Sequence, residues 1–189
     1  MYLRAINDIE DWNSSDIPTV EKLPITCLNC FTEDENEYSV FKVDSIDDKK
    51  ALDSIALRLF SCSPKKWSQG FHLMILEKSI LKKISSNISE NPPFMGCIHA
   101  NIEDVCYSDF KNLVEYTYDL YNGKKSSKKF VEYSFVTIAN LFSNMSENEF
   151  NNYLESYSKD EKMKNKLKKS ISEIFFKPPK KCPVFLKNS

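Results

Sequence analysis

The chain has 189 residues, a net charge of −1, 41% apolar residues, 13 Phe and 9 Tyr. This length fits one domain, and the apolar and aromatic content is too high for an intrinsically disordered chain. With only 3 Gly in the sequence, the glycine-rich loops that bind nucleotide phosphates are excluded.

The N-terminus and the hydropathy pattern bear on location. No apolar run reaches the roughly 18–20 residues that are needed to cross a bilayer. The first apolar residues are followed at once by Asp8, Glu10 and Asp11, which is untypical of a signal peptide. We therefore expect a cytoplasmic protein without membrane contact, in which all six cysteines are reduced.

The first third of the chain predicts strands followed by a helix. Tyr2–Ile6 fits a strand, and the β-prone runs Ile25–Phe31 and Glu37–Val43 fit a hairpin around an acidic turn. Ser45 is placed to begin a helix of about residues 46–61. Because the apolar positions of that helix form one stripe, we expect the helix to cover a sheet.

The middle of the chain continues the alternation of strands with short helices. Gly70–Leu76 is apolar on both faces, which is typical of a central strand with both sides covered. A short helix then precedes a strand at Phe94–Ala100 and a helix of about residues 109–121. Strand and helix residues together predict one shared core, formed by Phe41, Leu52, Ile55, Leu59, Leu73 and Ile75.

Helices dominate the last third of the chain. Residues 130–143 fit either a buried helix or a strand, and their length favours a helix. Ser146 followed by Glu149 predicts a capping box at the start of the next helix. A Lys-rich helix is predicted at about residues 160–176, before three prolines.

These elements predict the α+β class. We expect a small mixed β-sheet with flanking helices in the first two thirds of the chain and a helical C-terminal third. Residues 1–125 form the predicted α/β core, whose N-terminal third is acidic. Residues 126–189 form a predicted basic helical region that packs on this core.

Charge is divided unevenly along the chain. Residues 1–53 carry 13 acidic and 5 basic side chains, whereas residues 159–189 carry 10 lysines and 3 acidic side chains. Segregation of this kind points to protein partners or self-association more than to catalysis.

A cluster of lysines near the C-terminus is the clearest anomaly. Lysines neutralise phosphates without reading base sequence, and Phe175, Phe176 and Phe185 offer rings on which bases stack. Alternatively, the lysines are the solvated face of a helix whose apolar stripe, from Met163 to Ile174, needs a protein surface. The candidate residues for binding nucleic acid or a partner are Lys162, Lys164, Lys166, Lys168, Lys169, Lys177, Lys180 and Lys181.

An acidic turn in the first third is the natural counterpart of these lysines. It lacks the alternate-position ligands and the glycine of a calcium loop, so a solvated turn is the simpler interpretation. As a partner surface it would attract a basic region of the same chain or of another copy. Its candidate residues are Glu33, Asp34, Glu35 and Glu37.

Cysteine and histidine spacing gives weak signals for chemistry. Cys27 and Cys30 supply only two of the four ligands of a structural zinc site, and the acidic turn after them disfavours a redox pair. His72 and His99 would form a pair only if their two predicted strands were neighbours. We therefore predict no metal site, no cofactor and no catalytic residues.

Five short segments resemble a group of small uncharacterised bacterial α/β proteins. The shared pattern is an I-P-x-x segment, a polar turn, a short strand, an Ala/Leu-rich helix and a following strand. The resemblance implies a bacterial or phage source and carries no known activity. Its segments here are Ile17–Val20, Glu33–Glu37, Tyr38–Phe41, residues 51–60 and Phe71–Leu76.

Three classes of function are open to such a chain. The segregated charge favours a non-catalytic interaction or accessory subunit of a bacterial or phage multiprotein system. The Lys-rich C-terminus gives the second class, a nucleic-acid-associated accessory protein. An enzyme with an unrecognised site is the third class, because new sites need not match known motifs.

Overall fold

The structure is a computed structural model that describes residues 1–6, 38–84, 87–93, 97–106, 108–109, 112–113, 115–116, 119 and 129–176. The strands are β1 (Tyr2–Ile6), β2 (Tyr38–Lys42), β3 (Gly70–Leu76), β4 (Ile88–Glu90), β5 (Ile98–Ile102) and β6 (Phe130–Ser134). The helices are α1 (Lys49–Cys62), α2 (Pro64–Trp67), α3 (Lys78–Leu81), α4 (Phe135–Ser143), α5 (Glu147–Tyr157) and α6 (Glu161–Ile171), and a π-helical turn, Ser172–Phe176, follows α6.

The six strands form one sheet in the order β4-β5-β2-β1-β3-β6. The α+β class predicted from the sequence is confirmed. The predicted sheet was mixed, whereas all five strand pairings are antiparallel. Strands β2 and β3, which α1 connects, do run parallel, but β1 lies between them and pairs with both in the opposite direction.

Both faces of the sheet are covered, as the apolar run of β3 predicts. Phe71 and Leu73 face a cluster that includes residues of α1, α4, α5 and α6, which we call the helical core. Met74 and Leu76 face the opposite cluster, which includes Ile80 of α3. Strand β3 is therefore the central strand that its sequence predicts.

The predicted core residues lie together in the helical core. Five of them are buried there, and the sixth, Ile75, is half-buried against the same cluster. The confirmed buried residues are Phe41, Leu52, Ile55, Leu59 and Leu73. Helix α1 therefore covers the sheet with the face that its apolar stripe predicts.

The cap of helix α1 lies three residues after the predicted cap, Ser45. The side chain of Asp48, instead of Ser45, accepts a hydrogen bond from the N–H of Ala51, at 3.0 Å. Ser45 accepts from the N–H of Asp47 at 3.1 Å, within the preceding turn. Both residue types cap helices well, so the sequence alone leaves the choice open.

Residues 130–143 contain both a strand and a helix. The prediction that they form a helix is therefore wrong for Phe130–Ser134, which is β6. Ser134 ends the strand and caps α4, because its side chain accepts the N–H of Thr137 at 3.2 Å. Opposite Ser134 lies Gly70, whose φ of +108° and close approach to the Tyr133 carbonyl suit glycine alone.

The helices after β6 share the core of the sheet. Tyr153 of α5 is fully buried, and Leu167 and Ile171 of α6 belong to the same cluster as Leu3 of β1. Strand β6 itself lies beyond residue 125 and completes the sheet of the first region. The two regions predicted from the sequence are thus joined by one sheet and one core.

Several predicted elements fall partly or wholly outside the described residues. The first hairpin strand, Ile25–Phe31, lies outside them, and β2 pairs instead with β1 and β5. The strand predicted at Phe94–Ala100 is described from residue 97, and β5 occupies Ile98–Ile102. Each described residue of the predicted 109–121 helix is helical.

Leu59 offers a test of this packing. Its side chain is buried between α1 and the sheet, so Leu59→Ala should lower the free energy of unfolding by about 2–5 kcal/mol. Val136→Ala is the matched control, because Val136 is exposed and its truncation should change stability by less than about 0.5 kcal/mol. Chemical denaturation measures both values. Equal, small losses would show that α1 presents a different face to the sheet.

Candidate functional site

Helix α6 carries the described part of the predicted lysine cluster. Asp160 caps the helix by accepting the N–H of Lys162 at 2.8 Å. Glu161 lies in the first turn, whereas Lys168 and Lys169 lie in the last turn. This order of charges complements the helix dipole, so the Lys-rich sequence is compatible with a stable helix.

The buried side of α6 differs from the predicted apolar stripe. Leu167 and Ile171 are buried as predicted, but Met163 is 39% exposed and Lys164 is only 5% exposed. The prediction that Met163 begins the stripe is therefore wrong. The buried face is turned by one residue, so that the aliphatic stem of Lys164 packs beneath α6.

Two carboxylates hold the Lys164 ammonium group at the edge of the core. Lys164 Nζ donates to Glu155 Oε1 of α5 and to Glu161 Oε1, the latter at 2.8 Å. The hydrogen bond to Glu155 is the main cause that raises the pKa of Lys164, followed by the hydrogen bond to Glu161. The same contact lowers the pKa of Glu161. Lys164 is therefore buried and paired with two carboxylates, unlike the exposed lysines with which the sequence grouped it as a binding residue.

The opposite side of α6 forms a row of exposed lysines. Lys162, Lys166 and Lys169 are spaced at i, i+4 and i+7, which places them on one side of the helix. At 1.5 Å per residue the row is about 10 Å long. We call Lys162, Lys166 and Lys169 the cationic face. Lys168 is also exposed and lies at its flank, where its charge contributes to lowering the pKa of Glu161.

The other predicted binding residues fall outside the part of the chain that the structure describes. Lys177, Lys180 and Lys181 lie outside the described residues. The acidic candidates also lie outside them, namely Glu33, Asp34, Glu35 and Glu37. Contact between the acidic and the basic ends of the chain therefore stays a prediction.

The two histidines are not neighbours. His72 lies on β3 and His99 on β5, and β1 and β2 separate these strands. His99 Nδ1 lies 2.7 Å from Asn91 Nδ2. Burial is the main cause that lowers the pKa of His99, and the positive charges of Arg58 and Arg4 add to it. A paired histidine site is therefore excluded.

The three described cysteines are free thiols. Cys97 is buried in the helical core, and burial raises its pKa to about 11, so the thiol stays protonated at neutral pH. Cys62 and Cys106 are exposed. Cys27, Cys30 and Cys182 lie outside the described residues. Within the described ranges, no group of three or more His, Cys, Asp or Glu side chains is arranged to hold a metal ion.

Sequence reasoning missed an exposed apolar group at the end of the sheet. Phe135 and Val136 begin α4 and are 43% and 63% exposed, and Phe176, at the end of the π-helical turn, is 53% exposed. The Phe135 ring lies 5.1 Å from that of Phe175, centroid to centroid. The sequence does contain a signal for this helix start. Ser134, a residue type that caps helices well, directly follows the β-prone residues 130–133 and lies three residues before Thr137.

Comparisons with known proteins give no match. No family model, curated protein or solved structure matches this chain. The resemblance to small uncharacterised bacterial proteins therefore stays a prediction. Among the described residues, no helix combines the length and the apolar composition that a bilayer span requires.

The ion pairs of Lys164 predict a pH dependence of stability. A carboxyl group whose pKa is lower in the folded than in the unfolded state stabilises the protein. This contribution is complete at pH values above the unfolded pKa of the group, about 4.3, and is lost as the pH falls through its folded pKa. The Lys164→Met variant keeps the apolar stem but removes the pairing with Glu161. Its melting temperature should therefore fall less than that of the wild type between pH 6 and pH 3.

Lys166→Met is the matched control for this experiment. Lys166 is exposed on the cationic face, and the same substitution there should leave the wild-type pH profile unchanged. Thermal unfolding followed by circular dichroism at several pH values measures all three proteins. Parallel profiles for the wild type and Lys164→Met would show that Lys164 does not pair with the two carboxylates in solution.

Proposed function

We propose that this chain is a cytoplasmic, non-catalytic interaction subunit of a bacterial or phage multiprotein system. It docks through the cationic face, Lys162, Lys166 and Lys169, onto an acidic surface of a protein partner. The observation that supports this proposal is the separation of two kinds of lysine on one helix. Lys164 is neutralised by carboxylates, whereas the three outward lysines have no ion pair within the described part of the chain.

The rigid support of α6 favours a docking role. Leu167 and Ile171 anchor the helix in the helical core, and Lys164 ties it to α5. The lysines are consequently presented at fixed spacing from a packed helix, so less conformational freedom is lost on binding than from a free tail. Exposed Met163 lies beside them and adds an apolar contact that a protein partner can cover.

The local charge balance favours a protein partner over nucleic acid. Residues 129–176 contain seven lysines and seven acidic residues, so their net charge is zero. Exposed Glu147 and Glu149 lie on α5, the helix next to α6. A long polyanion responds to the net charge of the whole region, which is zero here, whereas an acidic patch of a protein needs only the row of lysines.

Nucleic-acid association is the second candidate function. Exposed Phe176 supports it, because an aromatic ring at the end of a lysine-rich helix can stack on a base of a single strand. Lysine, unlike arginine, does not make two-pronged contacts with guanine or phosphate, so any such binding would be independent of base sequence.

Charge reversal of the cationic face separates the two candidates. In the triple variant Lys162→Glu, Lys166→Glu and Lys169→Glu, the amount of partner protein that co-purifies from the source cells should fall about 10–100-fold. The reason is that three favourable ion pairs become repulsive. The control is Lys78→Glu, Lys82→Glu and Lys83→Glu. These lysines are exposed in and next to α3, which covers the opposite face of the sheet. Replacing them changes the net charge of the protein by the same amount as the α6 variant does.

Two measurements give the outcome. Quantitative mass spectrometry of proteins retained by the tagged full chain compares the wild type with both variants. Fluorescence anisotropy with labelled single-stranded and duplex DNA and RNA at 150 mM salt should give binding no tighter than about 10⁻⁶ M for all three. Tight, salt-sensitive binding of the wild type to nucleic acid, lost in the α6 variant alone, would contradict the proposal and support the second candidate.

A further inference from the structure

We propose that the outer edge of β6 binds the chain's own C-terminal segment, Cys182–Leu186, as an added antiparallel strand. The proposal is independent of the proposed docking function, because it concerns another surface. It follows from the edge position of β6, from the exposed apolar residues beside it, and from the place where the described chain ends.

Strand β6 is an edge strand. It is the last strand in the sheet order and pairs with β3 from Gly70↔Ser134 to Met74↔Phe130. In an antiparallel pair, alternate residues direct their N–H and C=O groups away from the partner strand. Within the described part of the chain, no other strand pairs with β6. Its outer backbone groups are therefore a template for a further strand.

The sequence of β6 lacks the usual protection of an edge. Edge strands avoid unwanted pairing through lysines, prolines, bulges or short length. Strand β6 has five residues, no lysine and no proline, and Glu132 is its one charged residue. The opposite edge strand, β4, has only three residues, and its Glu90 pairs with Lys42 at 2.7 Å.

Exposed apolar residues continue the surface beyond the end of β6. Phe135, Val136 and Phe176 are three of the five large hydrophobic residues that are exposed in the described structure. The contact of Phe175 with Phe135 brings the end of the described chain beside the end of β6. An apolar group of this kind, next to an open strand edge, is typical of a surface that another segment covers.

The segment that follows Phe176 is long enough to reach along the whole of β6. Thirteen residues, 177–189, follow Phe176 and can span about 40 Å when extended, whereas β6 is about 17 Å long. A chain that leaves from the Ser134 end and runs towards Phe130 is antiparallel to β6. Residues 177–181 are available to make the reversal, and they include two prolines.

The chemistry of the segment matches that of the edge. Val184, Phe185 and Leu186 are β-prone and apolar, and Pro183 before them can only begin a strand. The segment from residue 177 to 189 carries four lysines and no acidic residue, whereas Glu132 is exposed on β6. A second copy of β6 is a poorer occupant, because a symmetric antiparallel pair centred on this residue would place two Glu132 side chains opposite each other.

Hydrogen exchange of the full chain tests the contact. In the wild type, the outward amides of Phe130–Ser134 should be protected. The double variant Val184→Asp, Phe185→Asp should exchange them about tenfold or more faster, while the β1 amides stay unchanged. Asn188→Asp, Ser189→Asp is the matched control, since it adds the same charge beyond the proposed strand and should exchange like the wild type.

Two further measurements identify the occupant. A synthetic peptide of residues 182–187, added in excess to the Val184→Asp, Phe185→Asp variant, should restore protection of the β6 amides. Hydrogen exchange repeated at several protein concentrations should give the same protection in the wild type, and sedimentation velocity should show a monomer at those concentrations. Equal exchange in the wild type and the double variant would overturn the proposal. Protection that appears only with a concentration-dependent dimer would also overturn it, in favour of a second copy.

Discussion

The buried hydroxyl of Tyr153 is the contact on which the arrangement of the C-terminal helices depends. The Tyr153 hydroxyl shares a hydrogen bond of 2.6 Å with the Ser61 hydroxyl of α1, and it donates to the Leu57 carbonyl at 3.4 Å. Ser61 donates to the same carbonyl at 2.8 Å. Burial is the main cause that raises the pKa of Tyr153, and the phenol stays protonated as this geometry requires. A buried tyrosine whose hydroxyl is hydrogen-bonded fixes the position of α5 relative to α1, because a hydrogen bond is directional. An apolar ring would fix only how deeply the side chain is buried.

The position of α5 in turn determines what α6 presents to solvent. Glu155 of α5 binds the ammonium group of Lys164, and Leu167 and Ile171 fill the core beside it. These contacts hold one side of α6 against the protein, so the opposite side carries Lys162, Lys166 and Lys169 outwards. The proposed docking function therefore rests on packing that begins at the sheet-covering helix α1.

The sequence predicted those features that local patterns determine. The stripe of α1, the two-sided burial of β3 and the Ser146–Glu149 capping box are confirmed, because each depends on residues close together in the chain. Burial of Lys164 was missed, since it depends on Glu155, nine residues away on another helix. The antiparallel sheet was missed for a similar reason: only the tertiary fold inserts β1 between β2 and β3.

One measurement tests directly whether the sheet and the last three helices share a single cooperative core. Native-state hydrogen exchange at increasing denaturant gives the free energy of opening for the amides of Leu167 and Ile171 on α6 and of Leu3 and Leu73 in the sheet. If the core is shared, both pairs converge on the same value, that of global unfolding. Exchange of the α6 amides through an opening several kcal/mol less costly, with the sheet amides unaffected, would show that α6 opens independently of the sheet.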